Sequence, residues 1–257
     1  MLLAIDVGNS NTVIGVFNGD DLAHHWRVST DGQRSADELA LLFSGLLDFA
    51  GLSFSHNVHG VVLASVVPPL TETLREMTER YFHFAPVVVG PGVRTGIALR
   101  YDNPLEIGAD RIVNAVAAYE LYGGPAVVVD FGTSTNFDAV SREGDFVGGV
   151  IAPGVMTSTN ALVSRAARLP KIEIVTPATA IGRSTVAAMQ SGIVFGFAGQ
   201  VDAIVRRMVV ELGQDTTVIA TGGLATAVLS ACETVDHHDM WLTLKGLRMI
   251  WERNGVT

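Results

Sequence analysis

An apolar run that closes on an aspartate occurs twice in this chain. Leu3-Ala4-Ile5-Asp6-Val7-Gly8-Asn9-Ser10-Asn11-Thr12 and Val127-Val128-Val129-Asp130-Phe131-Gly132-Thr133-Ser134-Thr135-Asn136 each continue through an apolar residue and a glycine into small hydroxyl and amide side chains. The two aspartates stand close to half the chain apart, so the pattern predicts two halves of similar fold. Each copy extends into a hairpin: residues 12–17 alternate, Asn18-Gly19-Asp20 turns and 22–28 returns; likewise 137–140, a turn at Arg142-Glu143-Gly144, then 146–151. In the first half, helical spacing follows over 36–49, a strand over 61–67 stopped by Pro68-Pro69, a helix over 70–82 and a strand over 87–89. The second half carries helices over 157–167 and 185–212, then a strand over 217–220 leading into Thr221-Gly222-Gly223. Both halves read as β-β-β-α-β-α. Tyr122-Gly123-Gly124-Pro125 is the best candidate hinge, giving lobes at 1–122 and 123–257 with a cleft between the two Asp-Gly loops.

With 257 residues and 48% hydrophobic side chains, the chain can fill one large core or two linked ones. No apolar span approaches the ~20 residues that cross a bilayer, and Met1 runs straight into the first strand without a leader. The expectation is a cytoplasmic protein that meets no membrane. One cysteine, Cys232, excludes an internal disulfide and fits a reducing compartment; Ala231-Cys232-Glu233 is no nucleophile motif and reads as core filling. A formal net charge of −9 argues against a nucleic-acid surface and for a small-molecule partner accompanied by cations.

Each loop has the makings of a phosphate site. The strand end puts a carboxylate where strand meets solvent, and the glycine permits a tight turn. Backbone N–H groups and Asn, Ser and Thr side chains can then converge on an anion. With Mg²⁺ near the carboxylate, such a loop can take a nucleotide polyphosphate; the plain alternative is an ordinary strand-turn-strand hairpin. His237-His238-Asp239 and His24-His25 lack a partner at ligand spacing and read as solvated side chains, the former on a loop.

The duplicated Asp-Gly loops resemble those of the acetate kinase, sugar kinase, Hsp70 and actin superfamily. Further segments narrow the likeness: Asn103-Pro104 followed by Gly108-Ala109-Asp110-Arg111 and Asn114, Gly148-Gly149-Val150-Ile151-Ala152-Pro153-Gly154, Thr221-Gly222-Gly223, and the closing Leu242-Thr243-Leu244-Lys245-Gly246-Leu247. In this order, over essentially the whole chain, they resemble type III pantothenate kinases. That resemblance implies an α/β fold of duplicated ribonuclease H-like (actin-like ATPase) lobes, each a mixed five-stranded sheet flanked by helices. The first lobe would carry the ATP phosphate loop, and the second the other Asp-Gly-Thr loop and the dimer helices. It also implies ATP-dependent phosphorylation of the pantothenate 4′-hydroxyl, the opening step of coenzyme A synthesis. Mg²⁺ or another divalent cation would assist, together with K⁺ or NH₄⁺.

Carried over to this sequence, Asp6, Val7, Gly8, Asn9, Ser10, Asn11, Thr12 and Val13 would embrace the ATP phosphates, with Asp6 orienting the divalent ion and Thr133 touching the nucleotide. Asp130 would hold the monovalent cation. Tyr101, Gly108, Ala109, Asp110 and Arg111 would form the pantothenate pocket, Arg111 pairing with the substrate carboxylate and Asp110 acting as general base. Thr185 would reach the pocket from the neighbouring subunit of a homodimer; Ile193-Val194-Phe195 and Phe197 suggest an apolar helix face that is either interface or core. Plainer roles remain open: Asp110-Arg111 as a charge pair at a helix start, Tyr101 as a packed aromatic, Thr185 as a helix cap. Asp138 is expected to be structural. Asn136 stands where many relatives have Thr, and Ser184 where Asn is usual; both keep a small hydrogen-bonding side chain. Two further readings stay beside the kinase: a catalytically inactive regulatory relative and another small-molecule phosphotransferase of the superfamily.

Overall fold

The computed structural model of the chain describes residues 1–223 and 225–255. At the centre of the first sheet lies β1 (Leu2–Val7), buried on both faces except at Asp6, which is why its sequence is a nearly unbroken apolar run. β2 (Asn11–Asn18) folds back antiparallel to it and β3 (Asp21–Ser29) continues the meander. α1 (Ala36–Phe49) opens with a capping box in which Ser35 and Glu38 each accept the other's backbone N–H. The short α2 (Phe54–Asn57) follows. β4 (Gly60–Ser65), α3 (Pro68–Tyr81) and β5 (Val87–Val88) complete the sheet, whose order is β3-β2-β1-β4-β5 with β4 and β5 parallel to β1. The prolines do not precede α3 but form its first turn, where a missing N–H breaks no helical bond, so the helix starts two residues earlier than its spacing predicts. Leu3, Ile5 and Leu63 of the sheet pack with Phe43, Leu74 and Met77 of α1 and α3.

A single 3-10 turn at Pro104–Glu106 leads into α4 (Ala109–Tyr122). The second sheet is centred on β6 (Ala126–Phe131), whose burial pattern repeats that of β1 residue for residue. β7 (Ser134–Val140) and β8 (Phe146–Pro153) form its meander. α5 (Val155–Arg165), α6 (Thr185–Leu212), β9 (Thr217–Thr221), α7 (Ala225–Leu229) and β10 (His237–His238) complete the order β8-β7-β6-β9-β10. This is the topology of the first sheet again, so the fold is a duplicated α/β architecture of two mixed five-stranded sheets flanked by helices. His237 and His238 are exposed but not on a loop: they pair with Ile219 and Ala220 as an edge strand. Among the described residues no three His, Cys, Asp or Glu side chains gather as metal ligands. No described helix is long and apolar enough to cross a membrane.

The last described element is α8 (Leu242–Arg253). Two compact units result, each discontinuous in sequence. The first holds Met1–Ile97, Asp102–Ala117 and the chain from Thr243 onward; the second holds Ala98–Tyr101 and Ala118–Leu242. The division therefore falls inside α4 rather than at Tyr122-Gly123-Gly124-Pro125. The closing helix, expected in the second lobe, belongs to the first unit, where Leu244 lies over Gly15 of β2 and Trp251 over Gly60 of β4. An amphipathic helix with Leu242, Leu244, Leu247 and Ile250 all buried needs such a sheet face.

Candidate active site

In the first unit, Val7 pairs with Thr12, leaving Gly8, Asn9, Ser10 and Asn11 as the turn, closed by the Gly8 N–H donating to the Asn11 carbonyl at 3.0 Å. Asn9, Ser10 and Asn11 are exposed, and the half-buried Asp6 sits at the base of the turn beside Val13 of β2 and Ala64 of β4. Sequence reasoning missed Thr30. It follows β3, donates its hydroxyl to the Gly8 carbonyl at 2.7 Å, lies 2.9 Å from the buried Thr12 hydroxyl, and donates its own N–H to the Ser10 carbonyl at 3.0 Å. Its only signal in the sequence is a hydroxyl at the end of a strand expected to return beside the loop. Thr30→Val should cost about 1–2 kcal/mol of stability, read by urea unfolding.

The second loop is one residue shorter. Phe131 pairs with Thr135, so the turn is Gly132-Thr133-Ser134. The fixed spacing that aligns Thr12 with Asn136 is therefore off by one beyond the turn. Thr12 and Thr135, both buried, are the structural equivalents, and Asn136 instead lies across the ladder from Asp130, with Thr221 on the other side. Ser134 donates its hydroxyl to Asn136 Oδ1 at 2.9 Å. Where Thr30 braces the first loop, Thr157 of α5 braces the second, donating to the Thr133 carbonyl at 2.6 Å. Gly222, just past β9, lies against the Asp130 carboxylate. Asp138 is fully buried on β7 between Val128 of β6 and Gly149 of β8.

α4 begins at Ala109, placing Asp110 and Arg111 in its first turn in the same unit as the Asp6 loop. Burial pushes the Asp110 carboxyl above the usual carboxylate range; against that pull, the Arg111 backbone N–H, which donates to Asp110 Oδ1 at 2.9 Å, and the Arg111 charge lower it. The net direction is upward. Arg111 is only 6% exposed.

Asp130, Thr133, Tyr101 and Thr185 belong to the second unit. Tyr101 is half-buried, with its ring 6.0 Å from that of Phe146 in edge geometry. Thr185 is not the cap of α6: Ser184 is, accepting the Ala187 N–H at 3.2 Å, so the departure to Ser at this position keeps a capping oxygen. Thr185 is exposed and lines a cavity of about 600 Å³ between α5 and α6, with Leu162, Leu169, Met189, Ile193 and Phe197.

Residues 2–207 match the family model for type III pantothenate kinase. The type III pantothenate kinase of Streptomyces avermitilis is 55% identical over 261 residues, spanning 99% of this chain and 98% of that protein. The type III pantothenate kinase of Acidothermus cellulolyticus is 57% identical over 255 residues, spanning 99% of each. Among solved structures, a candidate Baf family transcriptional activator from Campylobacter jejuni superposes with a TM-score of 0.61 at 19% identity over 98% of each chain. The inorganic polyphosphate/ATP-glucomannokinase of an Arthrobacter species superposes with a TM-score of 0.51 at 13% identity, again over 98% of each. At those identities the two structures speak for the fold alone. The likeness in sequence, running nearly end to end, says more: this chain belongs to the type III pantothenate kinase family.

Proposed function

We propose that the chain transfers the γ-phosphoryl group of ATP to the 4′-hydroxyl of pantothenate, giving 4′-phosphopantothenate, the opening step of coenzyme A synthesis. The observation that carries this reading is identity above one half, over nearly the full chain, to named type III pantothenate kinases. In this reading the residues from Asp6 to Val13 take the ATP phosphates through exposed amides, hydroxyls and backbone N–H groups, and Thr133 adds a contact from the second loop. A carboxylate at the base of a polar turn suits a divalent ion that keeps most of its water, so Asp6 is assigned to Mg²⁺. When bound, Mg²⁺ offsets charge on the polyphosphate. Asp110 accepts the proton of the 4′-hydroxyl as the O–P bond forms. Arg111 holds the pantothenate carboxylate with its planar fork, and Tyr101, Gly108 and Ala109 shape the pocket around the substrate. Asp130, flanked by Asn136 and Thr221, is assigned to K⁺ or NH₄⁺. The exposed Thr185 beside an apolar cavity supports a homodimer in which it completes the partner's pocket.

The test is incubation with Mg-ATP and pantothenate, with and without K⁺, followed by mass spectrometry. The expected result is 4′-phosphopantothenate whose formation depends on K⁺. Product independent of K⁺ removes the role given to Asp130. No product from folded protein in either condition transfers the reading to a regulatory relative or a different acceptor.

A further inference from the structure

α8 belongs to neither loop, yet it touches the sheet that carries Asp6, through β2 and β4, and the helix that carries Asp110. On one side it is seated on the first sheet: Leu244 Cδ1 lies 2.8 Å from where a Gly15 methyl would be, and Trp251 fills the space a Gly60 side chain would take. On the other side it meets α4. Gly246 abuts the Val113 carbonyl so closely that a methyl there would overlap it, and would lie 2.8 Å from Val113 Cγ1. At the helix start, Thr243 donates its hydroxyl to Asn114 Oδ1 at 2.7 Å. Asn114 is completely buried. It follows Asp110 by four residues and Arg111 by three, so it lies on their side of the helix, one turn on. All of these residues belong to the first unit.

We propose that α8 is the spacer that sets the first turn of α4 against the sheet bearing Asp6, and that Thr243 is the positioning residue that holds Asp110 and Arg111 in register through Asn114. The bond is directional, whereas the leucine contacts are not. Apolar burial keeps α8 on the sheet, but a hydroxyl with one acceptor fixes where along α8 the turn of α4 must stop. In this role Thr243 acts on the chemical step through placement, by way of its bond to Asn114. A misplacement of a catalytic group by about 1 Å is enough to lower turnover by about 100-fold.

This inference rests on the kinase reading, and the experiment separates the two. Wild type, Thr243→Val and Thr243→Ser are assayed with Mg-ATP and pantothenate at saturating K⁺. Thr243→Val keeps the shape and removes the donor; Thr243→Ser keeps the donor. The expected result is a fall in kcat of about tenfold or more for Thr243→Val, a KM for ATP within about threefold of wild type, and a kcat for Thr243→Ser restored to within about threefold. If Thr243→Val does not fold, Thr243→Ala, which leaves room for water at Asn114, is read in its place. Inactive wild type overturns the kinase reading. Active wild type with unchanged kcat in the donor-less variant, or with Thr243→Ser equally impaired, overturns only the positioning role. Failure of both donor-less variants to fold would also overturn it, by reducing the bond to a matter of stability.

Discussion

Asp110→Asn is expected to lower turnover by about three orders of magnitude or more while leaving the protein folded and, at neutral pH, more stable than wild type. The amide matches the carboxylate in size and can still accept the Arg111 N–H that Asp110 Oδ1 receives at 2.9 Å, so the first turn of α4 keeps that bond. What it cannot do is take a proton. Burial raises the Asp110 pKa above its ordinary value, and the sign of the stability effect follows. A carboxyl whose folded-state pKa lies above its unfolded value binds its proton more tightly in the folded protein. The associated stability is fully present below the unfolded value and is lost as pH rises through the folded one. Above that window the wild type bears a partly desolvated carboxylate, and the variant does not. Thermal unfolding of both proteins across the acid range should show wild-type stability falling relative to Asp110→Asn as pH rises. The kcat/KM of wild type should lose its acid limb at a pH above that of an ordinary aspartate. An active Asp110→Asn enzyme would sink the base assignment; a variant that tracks wild-type stability at every pH would sink the burial argument.

The duplication was legible because it is written in local chemistry. An apolar strand buried on both faces, a carboxylate at its end and a glycine turn leave the same trace wherever they occur, and β1 and β6 share a burial pattern. The span of α6 was legible too, although its cap is Ser184 and not Thr185; Gly213, at φ +121°, ends it. What sequence reasoning missed depends on contacts distant along the chain. The one-residue difference between the two turns is a matter of strand register, which the shared Asp-x-Gly pattern conceals. The return of α8 to the first unit is decided by where Gly15 and Gly60 leave room on a sheet face, more than 180 residues earlier in the chain. Thr30 and Thr157 brace their loops from the next elements, and neither belongs to a motif of its own. The compact units place the Asp6 loop with Asp110 and Arg111, and the second loop with Tyr101 and Thr185, a grouping that chain order alone does not suggest.

Gly222→Ala should carry the largest stability loss of these substitutions and remove the monovalent-cation activation proposed for Asp130. Two penalties coincide at this position. Its φ of +93° is a conformation that L side chains rarely adopt, and a methyl there would lie 2.5 Å from Asp130 Oδ1, 2.6 Å from the Phe131 carbonyl oxygen and 2.7 Å from the Phe131 nitrogen. The backbone cannot yield, because β6 is paired on both sides: Asp130 lies opposite Asn136 on β7 and Thr221 on β9. The carboxylate can, by rotating away from the methyl. Strain and overpacking together are expected to cost about 2–4 kcal/mol, read as a lower urea midpoint at unchanged slope. The rotated carboxylate would no longer meet a cation where the wild type does, so added K⁺ should leave the residual activity of the variant unchanged while it stimulates the wild type. A variant that loses stability yet keeps the wild-type K⁺ response would show that the position of the Asp130 carboxylate is irrelevant to the cation, and would move the cation to another part of the chain.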